Sequence, residues 1–135
     1  MSDVDGPIGI VIAHGAMAEG LVGAVRRIAG SSADALVPIS NEGMAPDDLR
    51  EAIDQAVGPG SAIVFVDLQA GSCCMAAMAS CRACADRVVI TGVNLPMLLD
   101  FAFNRTLPFE ELVTHLVDRA REGIRPVRVD APARS

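Results

Sequence analysis

Residues 8–24 read IGIVIAHGAMAEGLVGA. The first six, Ile8–Ala13, form an apolar, β-branched run of strand length. Such a run fits a strand buried on both faces of a parallel sheet. The chain then passes His14-Gly15 and enters a different pattern. Leu21, Val22, Val25, Ile28 and Ala29 recur at helical spacing and make one apolar stripe, which Gly30 closes. A buried strand followed by a helix within about 22 residues is half of a βαβ unit.

The rest of the chain repeats this alternation. Further strands are expected at Ala35–Ile39, Ala62–Asp67 and Arg87–Thr91. Pro38 lacks an amide proton, so the second of these belongs at a sheet edge. A second helix carries Leu49, Ile53, Ala56 and Val57 and opens at Pro46-Asp47-Asp48, where proline and acids suit a helix start. A third is expected from about Ser72 to Ala85, and a short fourth over Pro96–Phe103. A fifth carries Leu112, Val113, Leu116, Val117 and Ala120 and ends at Gly123. Alternating strands and helices imply an α/β fold, a doubly wound and mainly parallel four-stranded sheet in the order 2-1-3-4. Val127–Val129 reads as a short last strand, held to an edge by Pro126. Residues 131–135 read as a frayed tail. No repeat or linker interrupts residues 1–135, so one domain is expected.

Composition narrows the function. The 135 residues are 51% hydrophobic, enough for a real core. Eleven basic against 17 acidic residues give a net charge of −6, which argues against a general nucleic-acid or anionic-membrane binder. Tryptophan and tyrosine are absent, so platforms for stacking bases are scarce. No apolar run reaches the roughly 18 residues of a membrane helix. The polar start MSDVDGPIG is not a signal peptide. A cytoplasmic protein is expected, and the four cysteines at 73, 74, 81 and 84 fit reduced thiols.

In an open α/β sheet, ligands bind beyond the carboxyl ends of the strands. Strand one ends at His14 and strand three at Asp67. In the 2-1-3-4 order these strands are neighbours, so the two side chains face each other. A neutral imidazole is a good nucleophile toward phosphorus. A carboxylate on one ring nitrogen fixes the tautomer, frees the other nitrogen to attack and stabilises the positive ring that forms. The Gly71-Ser72 turn opens a helix whose backbone N–H groups suit phosphate oxygens. No Walker lysine pattern is present, so a bound nucleotide is not the expected donor, and no cofactor is expected. A His-Gly at a strand end also occurs as a plain turn, and spacing alone leaves both readings open.

Five segments carry a resemblance that spans roughly Ile8 to Val129. They are IGIVIAHGAMAEGLVGA, the acidic PDDL helix start, IVFVDLQAGS, VVITGVNLPML and FEELVTHLVDRAREGI. Together they resemble the IIA component of the mannose-family sugar phosphotransferase system. The resemblance implies a phosphotransferase component with a phosphohistidine at His14 and Asp67 orienting it. It implies the histidine-containing phosphocarrier protein HPr as donor and a IIB domain as acceptor, with any membrane permease reached only indirectly. It also implies a homodimer that exchanges a C-terminal strand, here Val127–Val129. The sugar is not encoded in such a domain.

The chain departs from the family pattern in one loop. The family usually reads D-x-x-G-G-S-P followed by an aromatic or small residue and Asn. Here Ala70 stands for the first Gly, Cys73 for the Pro, Cys74 for the next residue and Met75 for the Asn. Gly71 and Ser72 remain. The altered rim opens an alternative, a regulatory IIA-like protein whose His14 phosphorylation state controls a partner instead of sugar uptake.

Other candidates read as structural. Cys81-Arg82-Ala83-Cys84 is a C-x-x-C, but on one helix Cys74, Cys81 and Cys84 share a face while Cys73 points elsewhere. Thiols packed against the sheet are therefore expected, and no metal. His115, with Glu111 and Asp118, reads as a solvated face of the fifth helix. Arg119, Arg121, Arg125 and Arg128 read as a solvated face or dimer rim, and Glu19 as a first-turn acid.

Overall fold

The computed structural model describes residues 6–82 and 84–130. The expected tail, 131–135, lies outside them. The elements are β1 (Ile8–Ala13), α1 (Met17–Ala29), a 3₁₀ segment (Gly30–Ala35), β2 (Leu36–Ser40), α2 (Pro46–Val57), β3 (Ala62–Val66), α3 (Ser72–Cys81), β4 (Arg87–Thr91), α4 (Leu95–Asn104) and α5 (Phe109–Glu122). All pairings are parallel and the sheet order is β2-β1-β3-β4, as the alternation predicts.

The central strands have two buried faces. Val11, Ala13, Ile63 and Phe65 point into one core with α1, α4 and α5. Ile10, Ile12, Val64 and Val66 point into a second with α2 and α3. This is why β1 and β3 read as unbroken apolar runs. Gly9 is required by the first core. A Cβ there would lie 2.8 Å from Leu36 Cδ2 and from Phe101 Cε2. Phe101 in turn meets Phe65 edge to face, at 5.4 Å between ring centres. Pro38 sits on β2, which pairs only with β1, so its missing donor faces an edge.

Two expectations are corrected here. The third helix stops at Cys81, not near Ala85. Arg82 turns extended, and the Cys84 and Arg87 amides donate to Cys81 and Cys84 carbonyls. The turn is forced because β4 must start at Arg87 to pair with Ala62. Cys84 therefore leaves the helix, and the face expected for Cys74, Cys81 and Cys84 is not formed. A 3₁₀ segment over Gly30–Ala35 joins α1 to β2, so the second strand starts at Leu36 instead of at the expected Ala35.

The C-terminal segment 124–130 is neither helix nor strand in this single chain. Val127 and Val129 are 78% and 91% exposed. The expected last strand thus has no pairing partner among the described residues.

Candidate functional site

The β1–β3 register aligns Ile12 with Val66. Continuing past both strand ends brings His14 beside Asp67. His14 Nδ1 lies 2.8 Å from Asp67 Oδ2, and the His14 backbone N–H donates to the same oxygen at 3.0 Å. The Leu68 amide donates to Asp67 Oδ1 at 2.9 Å. Both carboxylate oxygens are engaged, and the side chain is 7% exposed against 42% for the His14 ring. The carboxylate is fixed and the imidazole is presented.

Burial pushes the Asp67 carboxyl up. The hydrogen bonds from the His14 ring and backbone, the His14 charge and the Leu68 amide outweigh it, and the net shift is below the ordinary carboxylate range. An ionised Asp67 accepts a proton-bearing Nδ1, which leaves the Nε2 lone pair outward.

The Gly71-Ser72 turn lies at that outer edge. Gly71 has φ of 100° and caps α3. A Cβ on it would sit 3.7 Å from His14 Nε2 and Cε1. The first helical bond of α3 runs from Met75 N to Gly71 O, so the amides of Ser72, Cys73 and Cys74 have no intrahelical partner. An anion on Nε2 would stand at the amino end of this helix.

Residues at the end of β2, which sequence reading did not single out, hold the histidine loop. Ser40 Oγ donates to the Gly15 carbonyl at 2.8 Å, and Gly15 N donates to Asn41 Oδ1 at 3.2 Å. Gly15 adopts φ of 61°, and Met17 N closes the turn on His14 O. The signal was a polar Ser-Asn pair at the carboxyl end of the strand next to β1.

Cys73 is buried, and its Sγ lies 3.9 Å from His14 Nδ1. Burial, and then the Asp67 charge, push its thiol above the ordinary range. The Cys73 thiol thus stands beside the His–Asp pair. His14, Asp67 and Cys73 offer three ligand atoms within 4.8 Å of one another. Cys81 is instead pushed up to about 11 by burial.

His115 differs from expectation. It is not a merely solvated residue: its Nδ1 lies 2.5 Å from Oδ2 of the buried Asp100, whose Oδ1 accepts from Asn104. This network braces α5 on α4. Asn94 does the same at the other end, capping α4 through Met97 N and donating to Ala120 O. Glu19 is an exposed first-turn acid of α1. Arg119 pairs with Glu122 on the exposed face of α5, and Arg121, Arg125 and Arg128 are exposed.

Comparison with known proteins adds identity to this geometry. Residues 9–118 match the family model described as the PTS system fructose IIA component. The structure is similar to phosphotransferase system component EIIA from Streptococcus agalactiae, at 28% identity and a TM-score of 0.82, over 88% of this chain and 95% of that one. It is also similar to the mannose/sorbose specific IIA subunit of the phosphotransferase system from Enterococcus faecalis, at 25% identity and a TM-score of 0.82, over 95% and 99% of the two chains. A sigma-54 interaction domain protein from Enterococcus faecalis shares the fold, at 16% identity and a TM-score of 0.64, over 91% and 100%.

Proposed function

Because this chain belongs to the family of PTS fructose IIA components, we propose that it carries a phosphoryl group on His14 Nε2, taken from HPr and passed to a IIB domain in the cytoplasm. The observation that carries this reading is the Nδ1–Asp67 contact of 2.8 Å, which leaves Nε2 as the outward nucleophile. In the transfer step the Nε2 lone pair attacks the phosphorus of phospho-HPr. The bond from phosphorus to the donor histidine breaks as the new P–N bond forms. The His14 ring becomes cationic, and ionised Asp67 holds its Nδ1–H and balances its charge. The free amides after Gly71 receive the phosphoryl oxygens. On return the IIB nucleophile takes the phosphoryl group and His14 regains its lone pair.

The exposed His14 ring suits a macromolecular donor, because a docked protein supplies the water exclusion the reaction needs. Large apolar side chains stand at the element ends around the carboxyl edge of the sheet. Met17 starts α1, Met44 lies before α2, Leu68 follows Asp67 and Met75 lies in the first turn of α3, all exposed. No described helix is long and apolar enough to cross a membrane. Incubation with phosphoenolpyruvate, enzyme I and HPr should place acid-labile label on wild type and none on His14→Ala. Label persisting in that variant would sink the assignment.

A specific observation favours the regulatory alternative. Of the altered loop positions, Cys73 and Cys74 are buried, while Met75 is 71% exposed. Partner recognition is therefore changed at Met75 and at exposed Ala70, not at the buried thiols. If Met75→Asn raises donation to a IIB domain of a standard mannose system, the loop is what disfavours transport. Fast donation by the unmodified protein would remove this support.

The resemblance also supports a homodimer. The exposed Val127 and Val129, unpaired among the described residues, are consistent with a strand that pairs on a second copy.

A further inference from the structure

Phosphoryl transfer does not use Cys73, although its thiol lies at the dyad. Its thiol lies in the second core with Ile12 and Val66, directly beneath the dyad. The donors His14 Nδ1, an Asp67 oxygen and Cys73 Sγ are one nitrogen, one oxygen and one sulfur. A hard cation such as Mg²⁺ or Ca²⁺ wants an all-oxygen shell and finds a single carboxylate here. Zinc and similar borderline-soft ions take this mixed set, with water in the fourth position. In a tetrahedral site the nitrogen and sulfur are about 3.5 Å apart, and the nitrogen and oxygen about 3.3 Å. The distances here are 3.9 and 2.8 Å, each within about half an ångström of those values, and all three donors lie within 4.8 Å of one another.

We propose that His14, Asp67 and Cys73 bind a zinc-class divalent ion, and that this ion switches off phosphoryl acceptance by capturing Nδ1.

The chemistry balances as follows. The ion sheds water as it forms bonds to Sγ, Nδ1 and the Asp67 oxygen. The Cys73 S–H bond breaks and its proton goes to solvent. The Nδ1–H bond breaks and a proton returns on Nε2 through water. The imidazole stays neutral, and one proton is released per ion bound. With Nε2 protonated, the lone pair that attacks phosphorus is gone. His14 is the exposed member of the three. Only the switching consequence rests on the phosphocarrier reading; the binding site does not.

The test uses the full-length protein under reducing conditions, with Zn²⁺ or Co²⁺ alone as the probe. Chelator competition should give one zinc per chain. The Co²⁺ form should show the near-ultraviolet thiolate-to-metal charge-transfer band. Both should disappear in Cys73→Ala, Cys73→Ser and His14→Gln, each checked for fold by circular dichroism. Both should persist in the Cys81→Ser/Cys84→Ser double variant. A wild-type protein without the band, or a band kept in Cys73→Ala, overturns the site. For the switch, label uptake from purified phospho-HPr is read as the ratio with and without zinc within each variant. At about ten times the zinc dissociation constant the wild-type rate should drop roughly tenfold, since about one chain in eleven stays metal-free. Cys73→Ala should show no such dependence. An equal drop in both overturns the switch. A wild type that takes no label even without zinc refutes the phosphocarrier reading instead, while the Co²⁺ band still decides the metal site.

Discussion

Replacing Asp67 by asparagine separates orientation from packing at the dyad. Asp67 Oδ2 accepts from both the His14 amide and Nδ1, and Oδ1 accepts from Leu68 N. An asparagine of the same shape keeps one oxygen acceptor but turns an NH₂ donor toward one of these partners. If the amide nitrogen faces His14, Nδ1 must become the acceptor and the proton moves to Nε2, where it blocks attack. Loss of the right tautomer in a comparable His–Asp pair costs about 10⁴ in rate. The lost charge adds to this. A cationic ring about 4 Å from the carboxylate gains about 4 kcal/mol at an effective dielectric constant of 20. The ring is 42% exposed, and solvent screening cuts that to roughly 1–2 kcal/mol, about tenfold in rate. We therefore expect Asp67→Asn to slow phosphorylation by roughly 10⁴–10⁵. Its stability should change by less than about 2 kcal/mol, because the volume is kept and hydrogen bonds are exchanged. The assay is single-turnover label transfer from purified phospho-HPr, with a thermal melt of each protein. Nitrogen-resolved NMR of the imidazole should show Nδ1–H in wild type and Nε2–H in the variant. A folded Asp67→Asn protein that accepts phosphate at the wild-type rate would refute the orienting role.

Two further outcomes follow from the same structure. His115→Ala removes the ring partner of buried Asp100 and should destabilise the fold by about 1–3 kcal/mol, seen as a lower melting temperature, with label uptake intact; loss of uptake in a folded His115→Ala protein would give His115 a role in transfer. Truncation after Gly123 removes Val127 and Val129 and should weaken a dimer measured by light scattering at micromolar concentration; a full-length protein that is monomeric there contradicts strand exchange.

Local rules made much of the fold legible in the sequence. Burial on both faces removes alternation from a strand, so Ile8–Ala13 and Ala62–Val66 announced themselves as central. Pro38 announced an edge because it cannot donate. The helix starts and stops at Pro46, Gly30 and Gly123 follow from backbone conformations that neighbouring residues alone dictate. Once strand order was set, His14 and Asp67 had to meet, since both are the first residues past adjacent parallel strands. Where local rules ended, errors began. The apolar pattern of SCCMAAMASC gives no stop signal, and α3 ends only because β4 must reach its register against β3. His115 looks solvated on its own helix, because its partner, Asp100, comes from another.

The sequence by itself determined the alternation of strands and helices, the two-sided core and the His–Asp pair, because each depends on short-range periodicity and on one strand order. Tertiary structure alone decided what lies around that pair. It placed Ser40 and Asn41 under the histidine loop and brought the Cys73 thiol beside Nδ1. It left Met75 as the exposed member of an altered loop. Those relations join residues 25 to 59 positions apart. They are set by how helices settle on the sheet to within an ångström, a quantity that no local pattern of residues encodes.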